Sequence, residues 1–125
     1  MDSLYHRLGD EAFERLVAGF YARVKNDDIL SPMYPHDDWE GAQWRLRAFL
    51  TQYWGGPKDY SLQRGHPRLR MRHAQFPIDH AAASRWLELM EASLSDIEEA
   101  IISDADRAAL RDHWQRAAAM LINKF

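Results

Sequence analysis

The sequence predicts an all-α protein with a single domain that spans residues 1–125. In every long segment, apolar side chains recur at spacings of three and four residues, which is the period of an α-helix. No segment shows the two-residue alternation of a half-buried β-strand. Glycine and proline separate the periodic segments, and 125 residues fit one domain of ordinary size.

The first long helix is predicted to follow Asp10, because aspartate is a favoured N-cap residue. Its apolar face consists of Phe13, Leu16, Val17, Phe20, Tyr21 and Val24. The next segment, NDDILSPMYPHDD at 26–38, holds two prolines and four aspartates. This composition predicts a loop or short turns.

The second helix is predicted over residues 38–54, and the GGP sequence at 55–57 is expected to end it. Its inner side carries Trp39, Ala42, Leu46, Phe49, Leu50 and Tyr53. A loop is expected at 58–65, followed by a short helix at 67–76. Pro67 suits the first position of that helix, where its missing N–H is no loss.

Two more long helices complete the predicted fold. Asp79 is expected to cap the first, whose apolar face contains Ala82, Ala83, Trp86, Leu87, Met90, Leu94 and Ile97. Ser103 and Asp106 resemble a capping box at the start of the last helix. Its apolar face contains Leu110, Trp114, Ala117, Ala118, Leu121 and Ile122.

The composition excludes several kinds of site. The chain has no cysteine, so disulfides, thiolate zinc sites, iron–sulfur clusters and haem attached through C-x-x-C-H are excluded. No basic start followed by an apolar run indicates a signal peptide. The longest apolar run, at 117–122, is too short to cross a bilayer. These features predict a soluble cytoplasmic protein with no membrane partner.

The charge distribution argues against nucleic acid as a partner, because the net charge is −3 and the pI is about 6.0. Positive charge is nevertheless concentrated in one segment of fifteen residues, 58–72. The basic residues there are Lys58, Arg64, Arg68, Arg70 and Arg72. This cluster predicts a site for a small anion.

His73 lies in the most basic segment, HPRLRMRHAQF at 66–76. On a helix it would share a face with Leu69 and Phe76. The six histidines include no i, i+3 or i, i+4 pair and no Glu-x-x-His, so di-iron and zincin sites are not predicted. Haem needs only one protein ligand, commonly a histidine. Residue types alone leave two interpretations of His73 open: an ordinary core histidine or a haem ligand.

Tyr21 and Trp86 each place a polar tip on the apolar face of a different helix. A buried tyrosine O–H or tryptophan N–H normally finds a hydrogen-bond partner. That partner is either a backbone carbonyl in an ordinary core or a ligand in a pocket. For Tyr34 and Tyr53, ordinary packing is the simpler interpretation.

Four motifs resemble the truncated haemoglobins of group II over nearly the whole chain. They are FYARV at 20–24, MYPHDDWEGAQWRLRAFLTQYWGGP at 33–57, YSLQRGHPRLRMRHAQF at 60–76 and RWLELM at 85–90. The resemblance implies a two-over-two helical sandwich around b-type haem. The glycine pair that usually joins the first two helices in this family appears here as Gly9-Asp10.

The resemblance also implies roles for particular residues. His73 matches the proximal iron ligand, and Tyr21, Tyr34 and Trp86 match the residues that stabilise a ligand on the distal side. Ala42 occupies the position of the distal histidine of many larger globins. The implied pocket and porphyrin contacts are Leu46, Phe49, Leu69, Phe76 and Met90. The implied propionate partners are Arg45 and Arg72, followed by Tyr60 and His66.

The resemblance leaves three functions open. The first is reversible binding of O₂, CO or NO at the haem iron. The second is redox catalysis, either oxidation of NO by bound O₂ or reduction of peroxide, with a separate reductase to recycle the iron. The third is a helical interaction module without haem. The sequence leaves the oligomeric state open, a homodimer included.

Overall fold

The computed structural model describes residues 3–65, 73–74 and 76–124. Six α-helices and one 3₁₀ turn, Ser31–Met33, make up the regular structure of these residues. The helices are α1 (Leu4–Leu8), α2 (Asp10–Val24), α3 (Trp39–Tyr53), α4 (Asp59–Arg64), α5 (His80–Ser95) and α6 (Asp104–Leu121).

The long helices form two layers. Helix α2 packs on α3 in one layer, α5 packs on α6 in the other, and α2 crosses α5 between the layers. Short helix α1 packs on α2, and α4 packs on α3. This arrangement confirms the predicted all-α, two-over-two sandwich. No helix in the described ranges combines the length and the apolar character needed to span a membrane.

Three polar side chains start the long helices. Asp79 accepts the N–H of Ala82 at 2.8 Å, and Ser103 accepts the N–H of Asp106 at 3.2 Å. These two contacts confirm the predicted caps. Asp38 caps α3 in the same way, so the helix begins at Trp39. Such caps satisfy N–H groups that have no partner within the helix.

The start of α2 differs from the prediction, because Asp10 is its first residue and Gly9 precedes it as the cap. Gly9 has φ +84°, a conformation that glycine adopts without strain. This single glycine makes the turn between α1 and α2. Asp10 stands where the resemblance would place a second glycine, at a position that accepts a side chain, and its negative charge favours the helix N-terminus.

The loop predicted at 58–65 is wrong, because residues Asp59–Arg64 form α4. Tertiary contacts support this short helix. The side chain of Gln52 donates to Ser61 Oγ at 2.7 Å and accepts the Ser61 N–H at 3.0 Å. Tyr60, the second residue of this helix, is buried. Neither the contact with Gln52 nor the burial of Tyr60 follows from local periodicity. The short helix predicted at 67–76 lies mostly outside the described residues.

Helices α2 and α5 approach each other closely where they cross. Ser93 Oγ donates to Leu16 O at 2.6 Å. A Cβ atom at Gly19 would lie 2.3 Å from Ser93 Oγ, so only glycine allows this approach. Phe20 and Met90 are fully buried nearby in the same core cluster.

Helix α5 ends at Ser95, two residues before the predicted inner position Ile97. The buried Arg107 side chain closes this end, because its guanidinium donates to the carbonyl oxygens of Leu94, Ile97 and Ile102. Carbonyls at a helix C-terminus lack partners within the helix. A charge-assisted contact from α6 therefore stabilises the end of α5 and the turn that follows it.

Candidate functional site

A cavity of about 450 Å³ lies between the two layers, and most of its lining is apolar. This volume falls in the range of about 300–1,000 Å³ that is common for small-molecule and cofactor sites. Its walls come from α2, the 27–38 segment, α3, α4, α5, α6 and the residues around His73. The predicted site residues in the lining are Tyr21, Tyr34, Ala42, Arg45, Leu46, Phe49, Tyr60, His73, Phe76 and Trp86.

His73 is half-buried and contributes to the cavity wall. It is the predicted iron ligand, and its ring lies 6.5 Å from that of Phe76 between centroids. The segment that carries both residues is fastened to the end of α6. Asn123 Nδ2 donates to Phe76 O at 2.9 Å and to His73 O at 3.4 Å.

Asn123 also contacts the next part of this segment. Its Oδ1 accepts the Ile78 N–H at 2.8 Å, and its own N–H donates to Ile78 O at 2.8 Å. The Asn123 side chain therefore contacts the backbone at three positions beside the cavity, residues 73, 76 and 78. Sequence analysis did not identify Asn123, because an asparagine after a helix carries no local signal for a partner fifty residues away.

Tyr21 and Tyr34 form a pair of hydroxyl donors in the cavity wall. Their ring centroids lie 5.6 Å apart at an interplanar angle of 89°. Burial raises the pKa of Tyr21 strongly, and the neighbouring Tyr34 hydroxyl raises it further. Burial raises the pKa of Tyr34 to about 12, against a smaller opposing effect of Tyr21. Both phenols are therefore neutral at physiological pH and can donate hydrogen bonds.

Trp86 enters the cavity wall from α5 and contacts the same aromatic group through Phe20. The Phe20 ring centroid lies 5.0 Å from Tyr21 and 5.7 Å from Trp86. Three residues from three chain segments, Tyr21, Tyr34 and Trp86, thus surround one part of the cavity. Sequence patterns singled out the polar tips of Tyr21 and Trp86, whereas Tyr34 was implied only by the resemblance to group II truncated haemoglobins.

An ion pair fixes the segment between Tyr21 and Tyr34. Asp27 is buried, and its carboxylate accepts from Arg85 at 2.5 Å and from the Leu30 N–H at 2.8 Å. Burial alone would raise the pKa of Asp27, but these hydrogen bonds outweigh it and hold the pKa below its usual value. Arg85 precedes Trp86 on α5, so the contact fastens the turn that leads to Tyr34 onto the helix that carries Trp86.

Two arginines line the cavity, Arg45 from α3 and Arg64 from the end of α4. Arg45 also pairs with Asp38 at 3.2 Å. Tyr60 is buried in the same wall, with its ring 5.8 Å from Phe49. Arg64 was predicted only as part of the basic segment and not as a site residue. The structure therefore adds one cation to the predicted lining.

The remaining predicted contacts fall into two groups. Met90 does not line the cavity, because it is 0% exposed and packs in the core one turn beyond Trp86. Helical spacing correctly predicted that Met90 lies on the inner face of α5. On that face, Met90 is buried in the core and does not border the cavity. His66, Leu69 and Arg72 lie outside the described residues.

Helix α6 contributes two residues that sequence analysis did not assign to the site, His113 and Trp114. Both side chains are buried, and His113 Nδ1 and Trp114 Nε1 have no hydrogen-bond partner in the described part of the chain. The His113 ring stacks on Tyr53, with centroids 3.6 Å apart and an interplanar angle of 8°. Burial lowers the pKa of His113 to about 4, so its ring is neutral at pH 7.

These features suit a large, flat, mostly apolar guest with acidic groups. Unpartnered polar atoms in a cavity wall are rare in native proteins and are commonly satisfied by water or a ligand. Within residues 3–65, 73–74 and 76–124, no group of three or more His, Asp or Glu side chains could hold a metal ion. A metal here would need most of its ligands from a prosthetic group, as haem supplies. The cavity, the half-buried His73 in its wall and the two arginines fit haem. The second histidine of the lining, His113, is stacked on Tyr53.

Comparisons with known proteins agree with this geometry. Residues 3–121 match the family model described as bacterial-like globin. The group 2 truncated haemoglobin YjbI of Bacillus subtilis is 41% identical over 93 residues, which cover 74% of this chain and 70% of that protein.

Solved structures show the same similarity over almost the full chain. The haemoglobin of Chloroflexus aurantiacus has 41% identity and a TM-score of 0.91, covering 99% of this chain and 100% of that one. The thermostable haemoglobin of Thermobifida fusca has 42% identity and a TM-score of 0.89, covering 98% of each chain. The chain therefore belongs to the bacterial-like globins, as a group II truncated haemoglobin.

Proposed function

We propose that this globin binds haem b, with His73 as the residue that would hold the iron, and binds O₂ or another diatomic gas beside Tyr21, Tyr34 and Trp86. The main support is the composition of the cavity wall, which holds two histidines, His73 and His113, and a separate group of three neutral donors. When bound, haem supplies an iron centre that takes O₂, CO or NO. Family membership implies haem and O₂ binding; the residue roles are our proposal.

The three donors would stabilise a polar diatomic ligand. O₂ gathers negative charge on its outer oxygen more than CO does, so a positioned donor favours O₂. Tyr21 and Tyr34 keep their phenolic protons at physiological pH because burial raises both pKa values. The Trp86 indole N–H is a donor at any pH. These groups need no change of protonation state to hold the ligand.

Ala42 shapes the access to this group of donors. It is buried in the cavity wall and carries no polar group. Because the Ala42 side chain offers no hydrogen bond to a ligand, we propose that ligand retention depends on Tyr21, Tyr34 and Trp86.

A relative from Bacillus subtilis that is described as an oxygen-avid truncated haemoglobin is 33% identical with a TM-score of 0.88. Its description supports tight O₂ binding here.

The cations of the cavity would hold the carboxylates of the prosthetic group. Arg45 and Arg64 both reach the lining. Arginine is suited to carboxylates because its guanidinium can donate two parallel hydrogen bonds. Asp38 already pairs with Arg45, so we propose that Asp38 orients this guanidinium. Arg72 and His66 remain proposed partners from the sequence.

Redox turnover is the second candidate function. Three donors around one ligand favour long retention of O₂, which suits oxidation of NO or reduction of peroxide better than rapid O₂ delivery. We propose that sustained NO oxidation would take electrons from a separate reductase. Consumption of NO beyond one turnover only when a reductase is supplied would support this second function.

The first experiment is an absorption spectrum of the haem-loaded protein in ferric, reduced and O₂-exposed forms, beside His73→Ala. A Soret band that shifts with each state, and that is lost or altered in the variant, is the expected result. The control is Asn26→Ala, an exposed substitution near the end of α2 that leaves the cavity unchanged. A protein that stays folded and rejects haem would overturn the proposal.

A second experiment tests the distal group with Trp86→Phe. A hydrogen bond to a charged acceptor contributes roughly 1.5–3 kcal/mol. The O₂ dissociation rate should therefore rise about ten- to hundred-fold, with a smaller change for CO. Trp44→Phe, a half-buried tryptophan outside the cavity lining, is the matched control. A Trp86→Phe rate within about threefold of the parent would contradict this role for Trp86.

A further inference from the structure

A short path of aromatic rings connects the cavity with the protein surface. Tyr34 lines the cavity and stacks on Trp39, with centroids 5.8 Å apart and an interplanar angle of 28°. Tyr21 approaches the same indole edge-on at 6.3 Å. Trp39 is half-buried at the start of α3 and does not line the cavity. It therefore contacts both cavity tyrosines and remains partly accessible from solvent.

We propose that Trp39 is a surface oxidation site, where a bulky phenol or hydroquinone gives up one electron that Tyr34 passes to the cavity. This inference rests on the proposed haem binding. The donor class follows from the geometry, because a large aromatic reductant can contact the half-buried Trp39 from solvent without entering the cavity. The exposed His36 ring, 5.4 Å from the indole, widens the aromatic surface that such a donor would contact.

The oxidant in this proposal is hydrogen peroxide. Its O–O bond breaks in the cavity when it takes up two electrons and two protons, and two water molecules form. Each phenol loses one electron and its O–H proton and leaves as a phenoxyl radical. Two phenols are therefore oxidised for each peroxide, and the reaction balances without a further reductant.

The positive charge of Lys25 lies close to Trp39 and should affect how readily its ring is oxidised. Lys25 Nζ lies 5.8 Å from the centroid of the Trp39 ring. A cation near the ring face interacts favourably with the electron-rich ring, so it opposes removal of an electron from that ring. Lys25 should slow oxidation at Trp39, and replacing it by a neutral residue should accelerate the reaction.

The first test locates oxidation in the parent protein. The haem-loaded protein is treated with hydrogen peroxide without a donor, and its peptides are analysed by mass spectrometry. Trp44 is the internal control, because it is also half-buried on α3 but has no aromatic contact in the described part of the chain. Trp39 should carry about tenfold more oxidation than Trp44. Equal oxidation of the two would overturn the proposal.

The second test measures peroxide-driven oxidation of a polymer-bound phenol, which is too large for the cavity. Trp39→Phe should reduce the rate about tenfold or more, whereas Trp44→Phe should leave it within about twofold. Lys25→Gln should increase the rate. An unchanged rate in Trp39→Phe with a normal haem spectrum would overturn this inference alone, whereas absence of haem binding in the parent would overturn the proposed function as well.

Discussion

The α2–α5 crossing and the cavity beside α6 are packed in opposite ways. At the crossing, Gly19 lets the helices approach until Ser93 bonds the backbone of the opposite helix. Beside α6, the buried His113 Nδ1 and Trp114 Nε1 have no hydrogen-bond partner among the residues that the structure describes. At the crossing, the buried hydroxyl is hydrogen-bonded and an added atom would not fit, whereas beside α6 two buried polar atoms are left without a described partner in side chains that border the cavity. The crossing therefore holds the layers together, and the α6 wall borders the space for a ligand.

The largest effect is expected at the crossing, from Met90→Ala. Met90 is 0% exposed and does not line the cavity, so the substitution creates a new void in close-packed core. Such a change reduces the free energy of unfolding by about 2–5 kcal/mol. Urea denaturation of the haem-free protein measures it. A loss below about 1 kcal/mol would show that Met90 belongs with the loosely packed cavity wall.

Gly19→Ala should have the next largest effect. Its new Cβ atom would lie 2.3 Å from Ser93 Oγ, so one of the two helices must shift. Overpacking of this kind costs about 1–3 kcal/mol in the free energy of unfolding. Combining it with Ser93→Ala should restore part of the loss, because the hydroxyl oxygen in the closest contact is removed. Strictly additive losses in a thermal denaturation series would contradict this explanation.

Asn123→Ala tests the cavity side of the comparison. The substitution removes the side-chain hydrogen bonds that hold the backbone of His73, Phe76 and Ile78. We expect a loss of about 1–2 kcal/mol in the free energy of unfolding. We also expect faster haem release to a scavenger protein. Gln115→Ala, an exposed substitution on α6, is the control. Unchanged haem release would show that the hydrogen bonds of the Asn123 side chain do not position His73.

The smallest effect at pH 7 is expected from His113→Phe, which keeps an aromatic ring and removes the buried Nδ1, an atom without a hydrogen-bond partner within the described ranges. The free energy of unfolding should change by less than about 1 kcal/mol, or increase. A loss of more than about 2 kcal/mol would indicate a bound water or ligand at Nδ1.

The same variant changes the pH dependence of stability. The pKa of His113 is about 6.5 in the unfolded chain and about 4 in the folded protein, because burial disfavours the charged ring. Between these values the unfolded state binds more protons, so the parent loses stability as the pH falls from about 6.5 to about 4. The contribution is at most about 1.4 kcal/mol for each pH unit. His113→Phe should lack it in urea titrations at pH 7, 6 and 5.

Local sequence patterns were sufficient to predict the long helices. The spacing of apolar residues and the caps at Asp79 and Ser103 depend on residues three or four positions apart, so the sequence contains them directly. The same spacing placed Tyr21 and Trp86 on inner faces. It also placed Met90 there, because helical periodicity distinguishes the inside of a helix from the outside but does not distinguish core from cavity wall.

The sequence by itself determined the all-α class, the long helices and their inner faces, and its motifs indicated the globin family. Only the tertiary structure decided which inner residues border the cavity and which distant groups support them. Helix α4 depends on Gln52, the His73 segment depends on Asn123, and the end of α5 depends on Arg107. These partners lie nine to fifty residues away, where no helical period connects them. Their contacts form only after the layers have packed, so the packed structure specifies them.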